Sequence, residues 1–318
     1  MKKNHWTTDP IIFCVFASWA VAFVLINKSL TAKVGAFSPL AFVWPRMFLS
    51  ALIMFALLPI IRQPMRIPRK YIGKTVVIGV VGLGGYHLLF TIALSMTTPV
   101  DTALIIGTGP VMTALWMPLF GMPKPRARAW LGIVTCFVTV AFIAVSGAAG
   151  KAGDPWDMRR LIGDLIMLVA ANCWALNGIF CRRLTHLRPM TITAYGMLWA
   201  SAALLPVCLF GIGVSEFGGL VQQDWRAISG LHWGYFAYAV LPASTLSIVF
   251  FYFGVKKVGP LHTIIYQNVS PIITAVVVYL MDAKVPSMVQ MLGVVTIFLG
   301  VYLTRTSKPK VPDEPIDP

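Results

Sequence analysis

A few polar side chains stand inside long apolar runs of this sequence, and their chemistry suits holding a solute rather than breaking bonds. Arg46 offers a guanidinium, His87 beside Tyr86 an imidazole, Asn177 an amide, and Tyr266-Gln267-Asn268 three hydrogen-bonding groups in succession. Trp19 and Tyr252 supply flat aromatic walls. An arginine at membrane depth costs at least ~2.5 kcal/mol, so Arg46 must face an interior, snorkel or pair; a structural anchor is the favoured role and contact with an anionic solute the alternative. Three polar side chains in a row cannot all face lipid, which makes Tyr266, Gln267 and Asn268 expected cavity-lining residues. His87 is the candidate for carrying a coupling proton, although a lone intramembrane histidine also serves as hydrogen-bonded packing. No Asp or Glu falls at the centre of an apolar run, so a permanently cationic solute would lack a counter-charge. A zwitterionic, anionic or neutral metabolite, such as an amino acid, fits better.

Nothing in the sequence argues for catalysis. HExxH and GxSxG are absent, and no cofactor or metal is expected. The five cysteines, Cys14, Cys136, Cys173, Cys181 and Cys208, have no CxxC spacing and read as small core residues.

These side chains need apolar elements to position them. Of 318 residues, 58% are hydrophobic and 12% charged, against about 25% charged in a soluble chain. Most of the surface must therefore face lipid. Ten segments reach the roughly 20 apolar residues a membrane helix needs: roughly 10–31, 38–61, 71–94, 100–120, 129–147, 161–181, 190–214, 232–255, 260–281 and 287–304. The net charge of +15 is spread in short clusters between these runs, which excludes a nucleic-acid face. Loops on one side carry Arg62, Arg66, Arg69, Lys70 and Lys74, then Lys124, Arg126 and Arg128, then Arg182, Arg183 and Arg188. The other side holds little beyond Lys28, Lys33, Lys151, Arg159, Arg160, Arg226 and Lys284. Cytoplasmic loops are the basic ones, so both termini are expected in the cytoplasm.

The second half repeats the first. At an offset of 161 residues, 99–140 falls on 260–301 without a gap, pairing Pro99 with Pro260, Pro110 with Pro271, Pro125 with Pro286 and Gly132 with Gly293. Five helices per copy force the second to enter the membrane inverted, and loop charge agrees: the basic loop around Lys124 has a neutral counterpart around Lys284. Helix breaks sit at matching places. Gly107-Thr108-Gly109-Pro110 and Asn268-Val269-Ser270-Pro271 each free a carbonyl four residues earlier, and Pro242 interrupts the eighth segment. Gly107, Gly109, Pro110, Pro242 and Pro271 are the expected hinges or static kinks.

In Ser18-Trp19-Ala20 with Phe23, Ser38-Pro39 followed by Arg46, Pro110 and Pro271, and Gly163-Asp164 with Trp174, the chain resembles the ten-helix EamA-type branch of the drug/metabolite transporter superfamily over residues 10–304. The resemblance implies a cytoplasmic-membrane permease with a central cavity, working by alternating access. The glutamate such proteins carry after helices 4 and 9 is missing here, replaced by Gly121-Met122-Pro123 and Asp282-Ala283-Lys284. So is the helix-1 glutamate of the four-helix cation exporters. The expected organisation is a cytoplasmic tail (1–9), two EamA-like five-helix repeats (10–147 and 161–304), an extracytoplasmic linker (148–160) and a disordered cytoplasmic tail (305–318). The expected activity is export of a small metabolite by a secondary transporter in the inner membrane, monomeric or dimeric, with protons as a candidate coupling ion. The alternatives are an exporter of drug-like or neutral compounds and a channel.

Overall fold

A computed structural model describes residues 8–121, 126–149, 156–182, 184, 186–211, 215–258, 263–264 and 266–306. Residues 1–7 and 307–318 of the expected tails and 150–155 of the expected linker lie outside these, as do Lys124, Pro125 and Pro260. The described residues form helices and turns, without strands. The helices are α1 (Thr8–Thr31), α2 (Pro39–Ile60), α3 (Arg69–Leu94), α4 (Pro99–Phe120), α5 (Ala127–Ala149), α6 (Met158–Arg182), α7 (Pro189–Phe210), α8 (Gly230–Val258), α9 (Ser270–Asp282) and α10 (Met288–Thr306). Eight of them, α1 to α8, are long and apolar enough to cross a membrane. The expected ninth span is interrupted: a 3₁₀ turn, Tyr266–Val269, leads into α9, which keeps 13 residues. The apolar stretch of α10, Met288–Thr304, is short.

Apolar residues point both ways. On α5, Gly132, Cys136, Val140 and Ile143 recur every three or four residues and are buried. Val134, Val138, Phe142 and Val145 on the opposite face stand exposed, as a lipid-facing stripe does. Cys14 belongs to such an outward face, correcting its expected core placement, whereas Cys136, Cys181 and Cys208 are buried.

Partner choice follows the sequence repeat. α5 packs along α10 and α2 along α7, each with its counterpart in the other half; α1 lies against α8 and α9 as α6 lies against α3 and α4. Small residues allow the closest approaches, as membrane helices require. A Cβ on Gly132 would stand 2.3 Å from the Gly300 carbonyl oxygen, and one on Gly79 2.6 Å from that of Gly196.

Two helices widen at matching positions. Residues Ile78–Gly85 in α3 and Ala239–Leu246 in α8, again 161 apart, form stretches of π-helix. The expected breaks are present too. α4 is interrupted at Thr108, and α9 begins at Ser270, with Pro110 and Pro271 each second in the helix that follows. The two breaks meet: a Cβ on Gly107 would touch Pro271, and one on Gly109 would press on Gln267 Oε1. Pro242 lies apart from them, inside the π-helix of α8.

Candidate functional site

Both π-helical stretches end at one small cavity in the middle of the bundle. α3 leaves its wide turns at Gly85 and presents Tyr86, His87 and Phe90. The wide turns of α8 present Ala243 and Ser244. A π-turn inserts a residue into the helical ladder and re-aims the side chains that follow, a device found most often at functional sites. Trp19 and Phe23 of α1, Arg46 of α2 and Trp174 of α6 complete the wall. The cavity measures about 30 Å³, room for a water or two. At that volume an organic solute needs the cavity to widen.

Aromatic rings make a large part of that wall. Trp19 meets Trp174 edge-on at 5.2 Å between centroids, and Tyr86 lies 4.9 Å from Trp174. The Trp19 indole N–H donates to the Ala243 carbonyl at 2.8 Å, fixing its ring against the opened turns of α8.

The charge at this site is Arg46, 2% exposed. Its Nη2 lies 2.9 Å from His87 Nδ1. A guanidinium can only donate, so Nδ1 accepts and the neutral imidazole carries its hydrogen on Nε2. That Nε2 and Arg46 Nε have no hydrogen-bond partner. Among the described residues no carboxylate lies within ion-pair distance of Arg46, though its guanidinium also rests 5.5 Å from the Phe42 ring centre. The site therefore presents two buried, unanswered N–H donors and one uncompensated positive charge.

Of the nine binding residues expected from sequence, the structure brings Trp19, Arg46, Tyr86 and His87 together here. The others lie elsewhere. Tyr252 donates to Asn177 Oδ1 at 3.0 Å, joining α8 to α6, with Asn177 packed on Gly82. Gln267 and Asn268 are buried beside the helix breaks, near α1 and α4, and Tyr266 shares their turn. Sequence reasoning gave no binding role to Trp174 or Ser244, which also line the cavity. Trp174's match to Trp19 in the other half was the available signal.

A second polar cluster sits at the end of the bundle where Lys28, Thr97 and Asp282 meet. Asp101, fully buried, takes Arg160 Nη2 at 2.5 Å and Nε at 3.1 Å on one oxygen, and Gln290 Nε2 at 2.8 Å on the other. Lys28 pairs with Asp282 rather than reaching freely for the interface, and the Thr97 hydroxyl donates to Asp164 Oδ1. Thr98 caps α4 by accepting from the Asp101 backbone N–H, and Asp164 stands in the second turn of α6.

Apolar helices with lipid-facing stripes around a polar, aromatic centre define a multi-pass membrane protein built to handle a small molecule, and its relatives say the same. The pattern of the EamA-like transporter family matches residues 6–145 and again 161–306, so the chain belongs to that family and is a transporter, not an enzyme. It is 27% identical over 281 residues to YyaM of Bacillus subtilis (strain 168), named an uncharacterized transporter, with 88% of each chain covered. It is 26% identical over 216 residues to the S-adenosylmethionine/S-adenosylhomocysteine transporter of Chlamydia trachomatis serovar L2, covering 62% of this chain and 61% of that one. A solved crystal structure 16% identical in sequence superposes with a TM-score of 0.65 over 97% of this chain and all of the other, a likeness of fold.

Proposed function

We propose that the chain is a secondary transporter that exports a small organic solute carrying a carboxylate, zwitterionic or anionic, held in the central cavity by Arg46 and His87. The observation that carries this is the pair of buried donors, Arg46 Nε and His87 Nε2, without partners beside an uncompensated guanidinium. An unpaired charge and two unsatisfied donors each cost free energy in a dry interior, and a carboxylate answers all three. The rings of Trp19, Tyr86 and Trp174 suit the flat or apolar body of such a solute. In this reading His87 is a neutral donor. Protonating it would set a second cation against Arg46, so the coupling proton belongs elsewhere.

Alternating access follows from the two halves, 10–147 and 161–304, taken as inverted five-helix repeats. The matched π-turns and breaks, the exchange-symmetric packing and the double family match support that arrangement. Two equivalent halves can swap conformations around a midplane site, with the kinked α4 and α9 between them. Loop charges support both termini lying in the cytoplasm and the Lys28–Asp282 end outside, in an inner-membrane setting.

Counterflow into proteoliposomes tests the substrate class. Preloaded unlabelled solute should drive uptake of the labelled form for amino acids or carboxylates, and Arg46→Lys should weaken the exchange while Arg46→Met abolishes it. S-adenosylhomocysteine belongs in the panel: it bears an amino-acid end for Arg46 and a purine for the aromatic wall. Counterflow of quaternary ammonium dyes alone would overturn the reading.

A further inference from the structure

We propose that Asp164 is a proton-binding site whose occupancy holds the extracytoplasmic gate closed; the gate itself rests on the transport reading above. Beside the Asn27 amide, which donates to the Leu94 and Thr97 carbonyls within the first half, three sets of ties at this end join the first half to α6, α9 and α10: Thr97 to Asp164, Asp101 to Arg160 and Gln290, Lys28 to Asp282. Together they are a latch between halves that must part when the site opens outward. Around it lies a polar cavity of about 410 Å³, lined among others by Thr97, Arg160 and Gln290, which gives water a route to the latch.

Asp164 is the uncompensated member. It is 1% exposed, its Oδ1 accepts from Thr97, and its Oδ2 has no hydrogen-bond partner. The charged and titratable groups around it are accounted for. α4 offers Asp101, which takes both Arg160 contacts, so the nearest cation is spent on another acid. α6 itself offers Arg160, and Asp157, just before that helix, accepts the Arg160 backbone N–H on Oδ1. α1 brings Lys28 and α9 brings Asp282, bound to each other; Lys284 lines the same cavity, and α10 contributes the neutral Gln290. Among the described residues α3 and α5 supply no titratable group at this end; Met96, in the turn after α3, packs on Gly163, and Gly147 of α5 lies against the Arg160 guanidinium. Two acids share one arginine, and one proton balances them.

A bare carboxylate with one donor and an unsatisfied oxygen is costly to bury, whereas a carboxylic acid is neutral. Oδ2 therefore takes a proton from extracytoplasmic water as the latch closes and returns it as the latch opens. Acid outside favours the closed gate, and alkali favours the open one.

Infrared difference spectroscopy of the reconstituted full chain, between acidic and alkaline buffer, reads the proton directly. The carbonyl stretch of a protonated carboxylic acid should appear at acidic pH and vanish in Asp164→Asn; in Asp101→Asn, which frees Arg160 for Asp164, it should appear only at more acidic pH. A wild-type chain without the band, or a band that Asp164→Asn leaves in place, overturns the proposal. Should Asp164→Asn fail to fold, Thr97→Val removes the hydrogen bond to the same acid and should raise the band's frequency; an unmoved band overturns the assignment. The gate is read by a thiol introduced as Thr98→Cys in the cavity lining, with an impermeant maleimide. Relative to a denatured control, labelling should rise several-fold toward alkaline pH, and Asp164→Asn should abolish that rise; a rise that persists overturns the link to the gate. An Asp164-dependent band in a protein that counterflows no solute upholds the proton site and sinks the transport reading. Counterflow without such a band sinks the proton site alone.

Discussion

Arg160 and Arg46 stand at opposite kinds of site in this molecule. Arg160 meets Asp101 through two contacts on one oxygen, Gln290 occupies the other oxygen, and the arginine side chain keeps 24% of its surface exposed. Arg46 is deeper, touches a neutral histidine and an aromatic face, and has no acid within reach among the described residues. A compensated pair holds structure together. An uncompensated charge holds energy in reserve for something that arrives. The comparison therefore separates a latch from a binding site by what is missing rather than by what is present.

Cutting the compensated pair should have the largest effect. Asp101→Asn leaves Arg160 and Gln290 facing a neutral amide, and removing one partner of a buried pair costs about 3 kcal/mol or more. The thermal midpoint in detergent should fall sharply, and Arg160→Gln in the same chain should recover part of the loss. Without that recovery the pair is not the cause. Removing the uncompensated charge should do the reverse. Arg46→Met takes an unpaired cation out of the interior, so stability should hold or rise while affinity for a carboxylate solute falls about 10²-fold, equivalent to roughly 2–3 kcal/mol of charge-assisted hydrogen bonding. Isothermal titration and a melt on the same sample read both quantities. A drop in stability with unchanged affinity would make Arg46 an anchor and erase the contrast.

How much of this was legible beforehand follows the same division. Pro110 and Pro271 announce their breaks because proline removes a backbone donor wherever it stands. Arg46 and His87 stood out because ionisable groups are rare in lipid-spanning runs. The π-turns carried weaker signals. Gly79, Gly82, Gly84 and Gly85 permit close packing without dictating an inserted residue, and Pro242 suggested a kink rather than a widened turn. Tyr266, Gln267 and Asn268 expose the limit of polarity as a guide: it says that a side chain avoids lipid, not which interior it enters. Gln267 and Asn268 are buried beside the Gly107–Pro271 contact, away from the central cavity. The Asp101–Arg160 pair was hidden because its partners are 59 residues apart, on α4 and α6.

A steric change sharpens the comparison by removing charge from it. Gly132→Ala drives a methyl into the Gly300 carbonyl across α5 and α10, where neither backbone can yield cheaply. Overpacking of this kind costs about 1–3 kcal/mol. The melt should fall by an amount indifferent to salt and pH, with solute affinity of the folded fraction unchanged. An affinity loss as large as that of Arg46→Met would mean that the α5–α10 contact shapes the site.

The smallest effect is expected at the third ion pair, and it decides whether burial or mere pairing sets the scale. Lys28 and Asp282 tie two helices together as Arg160 and Asp101 do, yet their side chains keep 26% and 30% of their surface exposed. Solvent screens such a pair, and ordering two flexible side chains offsets much of its attraction, so exposed pairs contribute about 0–1 kcal/mol. Lys28→Met should lower stability by no more than that in dilute buffer. At about 1 M salt, where the screening length is about 3 Å, its difference from wild type should disappear while that of Asp101→Asn persists. Equal losses for the two variants, or equal sensitivity to salt, would mean that the latch draws its strength from the number of ties and not from one desolvated carboxylate, and the contrast between the two ends of the bundle would have to be redrawn around geometry alone.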